Sequence, residues 1–118
     1  MKTTLSIFLL VISLPAFSIG VNCGNKLAIY RYANTASIDI CPGSENNLSI
    51  YANAIGGNSH SCNLEAIAIK KDNVYYAKSG KCVLSFTITG NELNATFGHG
   101  CKYYCGARAG WTDGLYIK

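Results

Sequence analysis

Beyond Val21 the chain breaks into short segments rich in Ile, Val, Tyr and Thr, separated at intervals of roughly ten residues by Gly, Asn, Asp and Ser. Apolar and polar positions alternate within these segments, the period of a strand with one face buried, and no helical period is sustained. The pattern predicts strands over Lys26–Tyr32, Ala36–Ile40, Asn47–Ile55, Cys62–Ile69, Val74–Lys78, Cys82–Thr89 and Glu92–Phe97, with a last one ending at Leu115–Ile117. The stretches 41–46 and 56–61, which contain Pro42-Gly43 and Gly56-Gly57, carry the punctuation of loops.

The sharpest local feature is a hairpin around Gly90-Asn91, a two-residue connection whose twist suits paired antiparallel strands. With Thr89 opposite Glu92, Ile88 faces Leu93, Phe86 faces Ala95 and Leu84 faces Phe97. All six apolar residues then share the core side, while Ser85, Thr87, Asn94 and Thr96 take the other. A slip of one residue would destroy that segregation. A second hairpin is expected to turn at 70–73, with Ile69 opposite Val74 and Ile67 opposite Tyr76.

Strands of this kind in unbroken succession predict an all-β domain: a small antiparallel up-and-down barrel or rolled meander of about seven or eight strands, because closure removes exposed edges. A β-sandwich is the alternative. Inward-facing Leu, Ile and Phe would largely fill so small a barrel, leaving little room for a ligand.

The first residues follow another pattern. Lys2 precedes a largely apolar run from Leu5 to Leu14, Pro15 ends it, and Ser18 and Gly20 supply small residues before Val21. The run is too short to span a bilayer. These features mark residues 1–20 as a signal peptide and residues 21–118 as a single β domain, exported to the periplasm or secreted, with no membrane insertion after cleavage. Asn22 beside Cys23 does not suit a lipoprotein signal.

Composition adds two constraints. With Lys2 set aside, the 10 Lys and Arg fall to nine against 6 Asp and Glu, a net charge of +3, with no basic run longer than Lys70-Lys71. That argues against a nucleic-acid partner. All 6 cysteines follow the cleavage site, and an even number in a small exported domain predicts three stabilising disulfides.

Candidate chemistry is sparse. Ser59 and Ser61 flank His60, yet adjacency is no triad, and no nucleophile-elbow spacing occurs, so the chain does not read as an enzyme. His60-Ser61-Cys62 and His99-Gly100-Cys101 form two His-x-Cys pairs that could converge on zinc. The exported compartment favours oxidised cysteine, and the spacing fits none of the established zinc motifs, so neither a metal nor another cofactor is expected.

The most distinctive stretch is Gly100-Cys101-Lys102-Tyr103-Tyr104-Cys105-Gly106-Ala107-Arg108-Ala109-Gly110, followed by Gly114-Leu115-Tyr116. With His60-Ser61-Cys62 and Cys82, it resembles a group of small exported bacterial β-barrel proteins. These carry a His-x-Cys, a later Cys and a terminal Gly-Cys-x-x-Tyr-Cys-Gly-Ala-Arg-Ala, and they resemble periplasmic lysozyme inhibitors. The resemblance covers His60 to Lys118 and implies an exported barrel with a protein partner. Such inhibitors insert a loop whose polar groups bind the catalytic carboxylates, a role open here to Arg108, Lys102 and the hydroxyls of Tyr103 and Tyr104. Arg108 has a structural alternative, packed across Trp111 or Tyr116. Trp111 likewise either caps the barrel or serves as an interface contact.

Cys23 and Cys41 fall outside the resembled segment, which suggests that they pair with each other. In the hairpin register Cys82 lies opposite His99, within diagonal reach of Cys101, and Cys62 is left with Cys105. The rival set joins Cys62 to Cys82 and Cys101 to Cys105. The function expected is that of an exported periplasmic binding protein, an inhibitor of a lysozyme or other cell-wall-directed enzyme. The alternative is a structural or immunity-type envelope protein that binds a bacterial toxin.

Overall fold

The computed structural model describes residues 25–56, 60–106 and 109–118. The expected signal peptide, Cys23 and Arg108 lie outside the described residues. Eight strands follow one another: β1 (Ala28–Tyr32), β2 (Ala36–Pro42), β3 (Leu48–Ile55), β4 (Ser61–Lys71), β5 (Val74–Ser79), β6 (Cys82–Thr89), β7 (Glu92–Phe97) and β8 (Gly114–Ile117). A 3₁₀ segment, His99–Tyr104, lies between β7 and β8. Each strand pairs antiparallel with its neighbour in sequence, and β8 returns to β1 at Arg31 and Ile117 to close a barrel. Closure, rather than a sandwich, gives every strand two neighbours.

The β6–β7 register is the one the alternation demands, with Thr89 opposite Glu92, Ile88 opposite Leu93, Phe86 opposite Ala95 and Leu84 opposite Phe97. Leu84, Phe86, Leu93 and Ala95 are buried, while Ile88 and Phe97, at the hairpin's ends, are half-buried and packed against the core. The expected β4–β5 register needs correction. Ile69 faces Tyr76, not Val74, and Lys71 faces Val74. A tight turn at Asp72-Asn73, with Asp72 at φ 62°, lets β4 run on through Lys70 and Lys71 where a longer turn was expected. Aspartate tolerates the left-handed region better than most residues, and a two-residue turn follows the strand twist. Because the shift is an even one, each side chain keeps its face.

Inside the barrel, large and small residues meet across neighbouring strands. Ala52 lies between Ile38 and Leu64, Ala77 is paired with Leu84, and Ala95 with Phe86. This interleaving fills a narrow interior without strain. Two tyrosines also enter the core, each with its hydroxyl hydrogen-bonded to a backbone carbonyl. Tyr30 donates to the Gly90 carbonyl at 3.3 Å, and Tyr116, with none of its surface exposed, donates to the Thr112 carbonyl at 2.6 Å. Burial, with smaller contributions from Asp113 and Tyr32, pushes the Tyr116 phenol up to about 12.

Outside the barrel wall, Asp39 on β2 is buried and paired with Lys26 at 3.2 Å. Lys26 belongs to the chain leading into β1, where Leu27 donates its N–H to the Ile40 carbonyl. The same face of β2 carries Cys41, which is buried and disulfide-bonded. Its expected partner, Cys23, is outside the described residues.

Candidate functional site

The described residues 98–106 and 109–113 fold against one end of the barrel, where β4 and β6 begin and β5 and β7 end. Their first tie is backbone: Gly98 N–H donates to the Val83 carbonyl at 2.9 Å. The chain then passes so close to the β5–β6 turn that a Cβ on Gly100 would stand 2.2 Å from the Lys81 carbonyl oxygen. Glycine is required there for lack of space. That approach brings Cys101 to Cys82, and the two form a fully buried disulfide with Cα atoms 4.2 Å apart.

A second disulfide joins Cys105 to Cys62 at the start of β4, Cα to Cα 3.9 Å, reinforced by an isolated β-bridge between the same residues. Gly106 then donates its N–H to the Ser61 carbonyl at 2.9 Å and packs against His60. These pairings are the expected ones, and the rival set joining Cys62 to Cys82 is excluded. The two His-x-Cys pairs therefore contribute their sulfurs to different disulfides. Among the described residues no group of three or more His, Cys, Asp and Glu side chains converges as a metal site.

Two of the expected contact residues are occupied with holding this segment. The Tyr104 hydroxyl lies 2.8 Å from Ser79 Oγ and donates to the Ser79 carbonyl at 3.0 Å. Trp111 donates from Nε1 to the Cys101 carbonyl at 2.8 Å and stacks on Phe97, centroids 4.5 Å apart and planes within 7°. Asp113 completes the return by accepting the Phe97 N–H at 2.8 Å. Lys102 and Tyr103 face outward instead. Tyr103 is 71% exposed, with Lys102 Nζ 5.5 Å above its ring centroid. Arg108 lies outside the described residues.

Between the 3₁₀ segment and the returning chain opens a cleft of about 320 Å³, lined among others by Phe97, His99, Lys102, Trp111 and Asp113. Its groups are suited to recognition: an ammonium and an imidazole to meet a carboxylate, with an aromatic wall beside them. Alternation did not reveal the Phe97–Trp111 stack or the part played by Asp113, because both join β7 to a segment without period. The usable signal was composition, a single Trp between Gly110 and Thr112 just ahead of the last strand. No protein-family model matches the chain, and neither does any curated protein or solved structure.

Proposed function

We propose that the protein is an exported binding protein of the periplasm that meets its partner through the capped barrel end, and that the partner is a lysozyme or another cell-wall-directed enzyme. The carrying observation is the contrast within one segment. Tyr104 and Trp111 are held by hydrogen bonds to the barrel and to the segment itself, and the neighbouring Lys102 and Tyr103 are left projecting. A rigid support lowers the ordering cost of association, and a lysine beside an exposed tyrosine is suited to reach carboxylates in an enzyme cleft. The two disulfides are compatible with an oxidising compartment, as export requires. The C-terminal resemblance points the same way.

Charge favours a second reading. Asp113 is the one acidic residue from Gly98 to Asp113, and a net positive protein is not steered toward strongly basic lysozymes. An acidic toxin would be attracted instead, which supports an immunity-type envelope protein. Titration of the oxidised protein against lysozymes of several classes, followed by calorimetry and by inhibition of wall lysis, separates the two. A lysozyme partner predicts saturable inhibition that weakens about tenfold or more in Lys102→Ala and in Tyr103→Ala. Absence of binding to every lysozyme would rule out a lysozyme as the partner.

A further inference from the structure

The outer wall of the barrel changes character along β4. Its first outward residues, Ser61 and Asn63, belong to a polar cluster: Asn63 Oδ1 accepts from the Tyr51 hydroxyl at 2.7 Å and from Asn53 Nδ2 at 2.9 Å, and Asn63 Nδ2 donates to Ser61 Oγ. Past Glu65 the outward positions become Ile67 and Ile69, 52% and 54% exposed. Tyr76, directly opposite Ile69 on β5, and Val83 on β6 extend the apolar area at 38% and 36% exposure. The interior positions of the same strand are already filled by Cys62, Leu64 and Ala68, so the two isoleucines add nothing to the core. Lys71 and Lys78 stand on this outer face, lining one shallow depression with Ile67, Ile69 and Tyr76.

We propose that this face adsorbs to an anionic lipid surface, with Ile67, Ile69 and Tyr76 entering the headgroup boundary and Lys71 and Lys78 meeting lipid phosphates. Contiguous exposed apolar side chains mark interaction surfaces. The polar groups of the depression are two ammoniums and a phenol, the side chains that bury a stem or ring at a membrane interface while their tips stay in water. Both strands already have two neighbours, so a peptide has no free edge here to extend. A second copy docked about a two-fold axis would bring Lys71 and Lys78 toward their own counterparts. An acidic protein would match the charge. Four partly exposed side chains on the curved wall nonetheless fall short of the roughly 800 Å² per partner of a stable interface, whereas a bilayer needs no matching shape.

Sedimentation of the oxidised protein with vesicles of equimolar phosphatidylglycerol and phosphatidylcholine, against vesicles of phosphatidylcholine alone, tests the proposal. The protein should pellet with the anionic vesicles only, less so as salt is raised. Lys71→Gln combined with Lys78→Gln should weaken partitioning roughly twenty-five-fold, at about fivefold per lysine. Ile67→Ser combined with Ile69→Ser should also weaken it, while Asn63→Ser, on the polar half of the strand, should leave it unchanged. Thermal melting checks that each variant folds, and the lysine pair, which is exposed, keeps the test decisive if the isoleucine pair does not. Retention in the supernatant with both vesicle types would overturn the proposal and leave the face to an acidic protein. Equal pelleting with both, insensitivity to the lysine pair, or a dimer abolished by the isoleucine pair would overturn it too. Lys102 and Tyr103 take no part in this test, so its outcome is independent of the capped end.

Discussion

Along the β6–β7 hairpin every second residue is held by packing: Leu84, Phe86, Leu93 and Ala95 are each no more than 1% exposed, and their cross-strand partners follow without interruption from Thr89–Glu92 to Leu84–Phe97. Among the described residues of Gly98–Asp113 the chain is held at separated points, by two disulfides, backbone hydrogen bonds to Val83 and Ser61, one indole hydrogen bond, one phenol and one carboxylate. The hairpin's stability is spread over many weak contacts that form together. The cap's is concentrated in a few bonds, most of them to residues far away in sequence. What such a cap gains is freedom of composition between the ties, and Lys102 and Tyr103 stand in one of those intervals. A binding surface can therefore vary there without disturbing the barrel.

The largest test of this contrast lies in the hairpin. Phe86→Ala should cost about 3–5 kcal/mol in denaturant unfolding, since it empties a site enclosed by Ala95 and the stacked ring of Tyr75. Thr87→Ala, one residue along and facing outward, should cost under about 1 kcal/mol. Equal losses at the two positions would contradict packing as the stabilising element.

Cutting a tie of the cap comes next. Cys82→Ala with Cys101→Ala should lower stability by about 2–4 kcal/mol. It should also expose the bond after Lys102 to trypsin well before the bond after Lys78, within wall strand β5, is attacked. Cleavage at unchanged rate would mean that packing holds the cap as it holds the wall.

The smallest expected effect concerns Tyr116, the residue at which wall and cap meet through its bond to Thr112. Its phenol is raised in the folded state from 10.0 to about 12, so the unfolded chain releases this proton first as pH rises. The stability associated with the neutral phenol is complete below pH 10, declines as pH passes through the interval, and is lost above the folded value, a loss on the order of 2 kcal/mol. Tyr116→Phe lacks the titration. Its stability should therefore fall less over that range, and parallel alkaline unfolding curves for the two proteins would refute the assignment.

The positions of the strands, and the faces taken by residues of the β6–β7 hairpin, could be read from alternation because period two is a local property that a few residues establish. The β6–β7 register was equally legible, since a two-residue turn and a fully segregated apolar set agree on one pairing. At β4–β5 the same reasoning assigned the partners wrongly, and it did not show that Ile67 and Ile69 face outward. Lys70, Lys71 and Asp72 look like turn residues by composition, yet Lys70 extends the strand opposite Tyr75 and holds its ammonium 5.8 Å from that ring. Polar composition alone does not distinguish a strand that runs on into solvent from a loop.

The expected contact residues illustrate a further limit. Tyr104, Trp111 and Lys102 are all polar-tipped residues in one distinctive stretch, and no local rule separates those that turn inward to Ser79 and Cys101 from the one that stays exposed. The separation depends on where β5 and β6 begin and end in space. Closure of the barrel has the same origin: Arg31 meets Ile117 across nearly the whole chain, a contact that depends on how every intervening pair of strands is staggered and twisted. The outward exposure of Ile67 and Ile69 likewise follows only once the interior has been filled by the other face of β4. Strands and faces were thus set by neighbours along the chain, whereas closure, the capped end and the apolar outer face arose from the summed geometry of all eight strands.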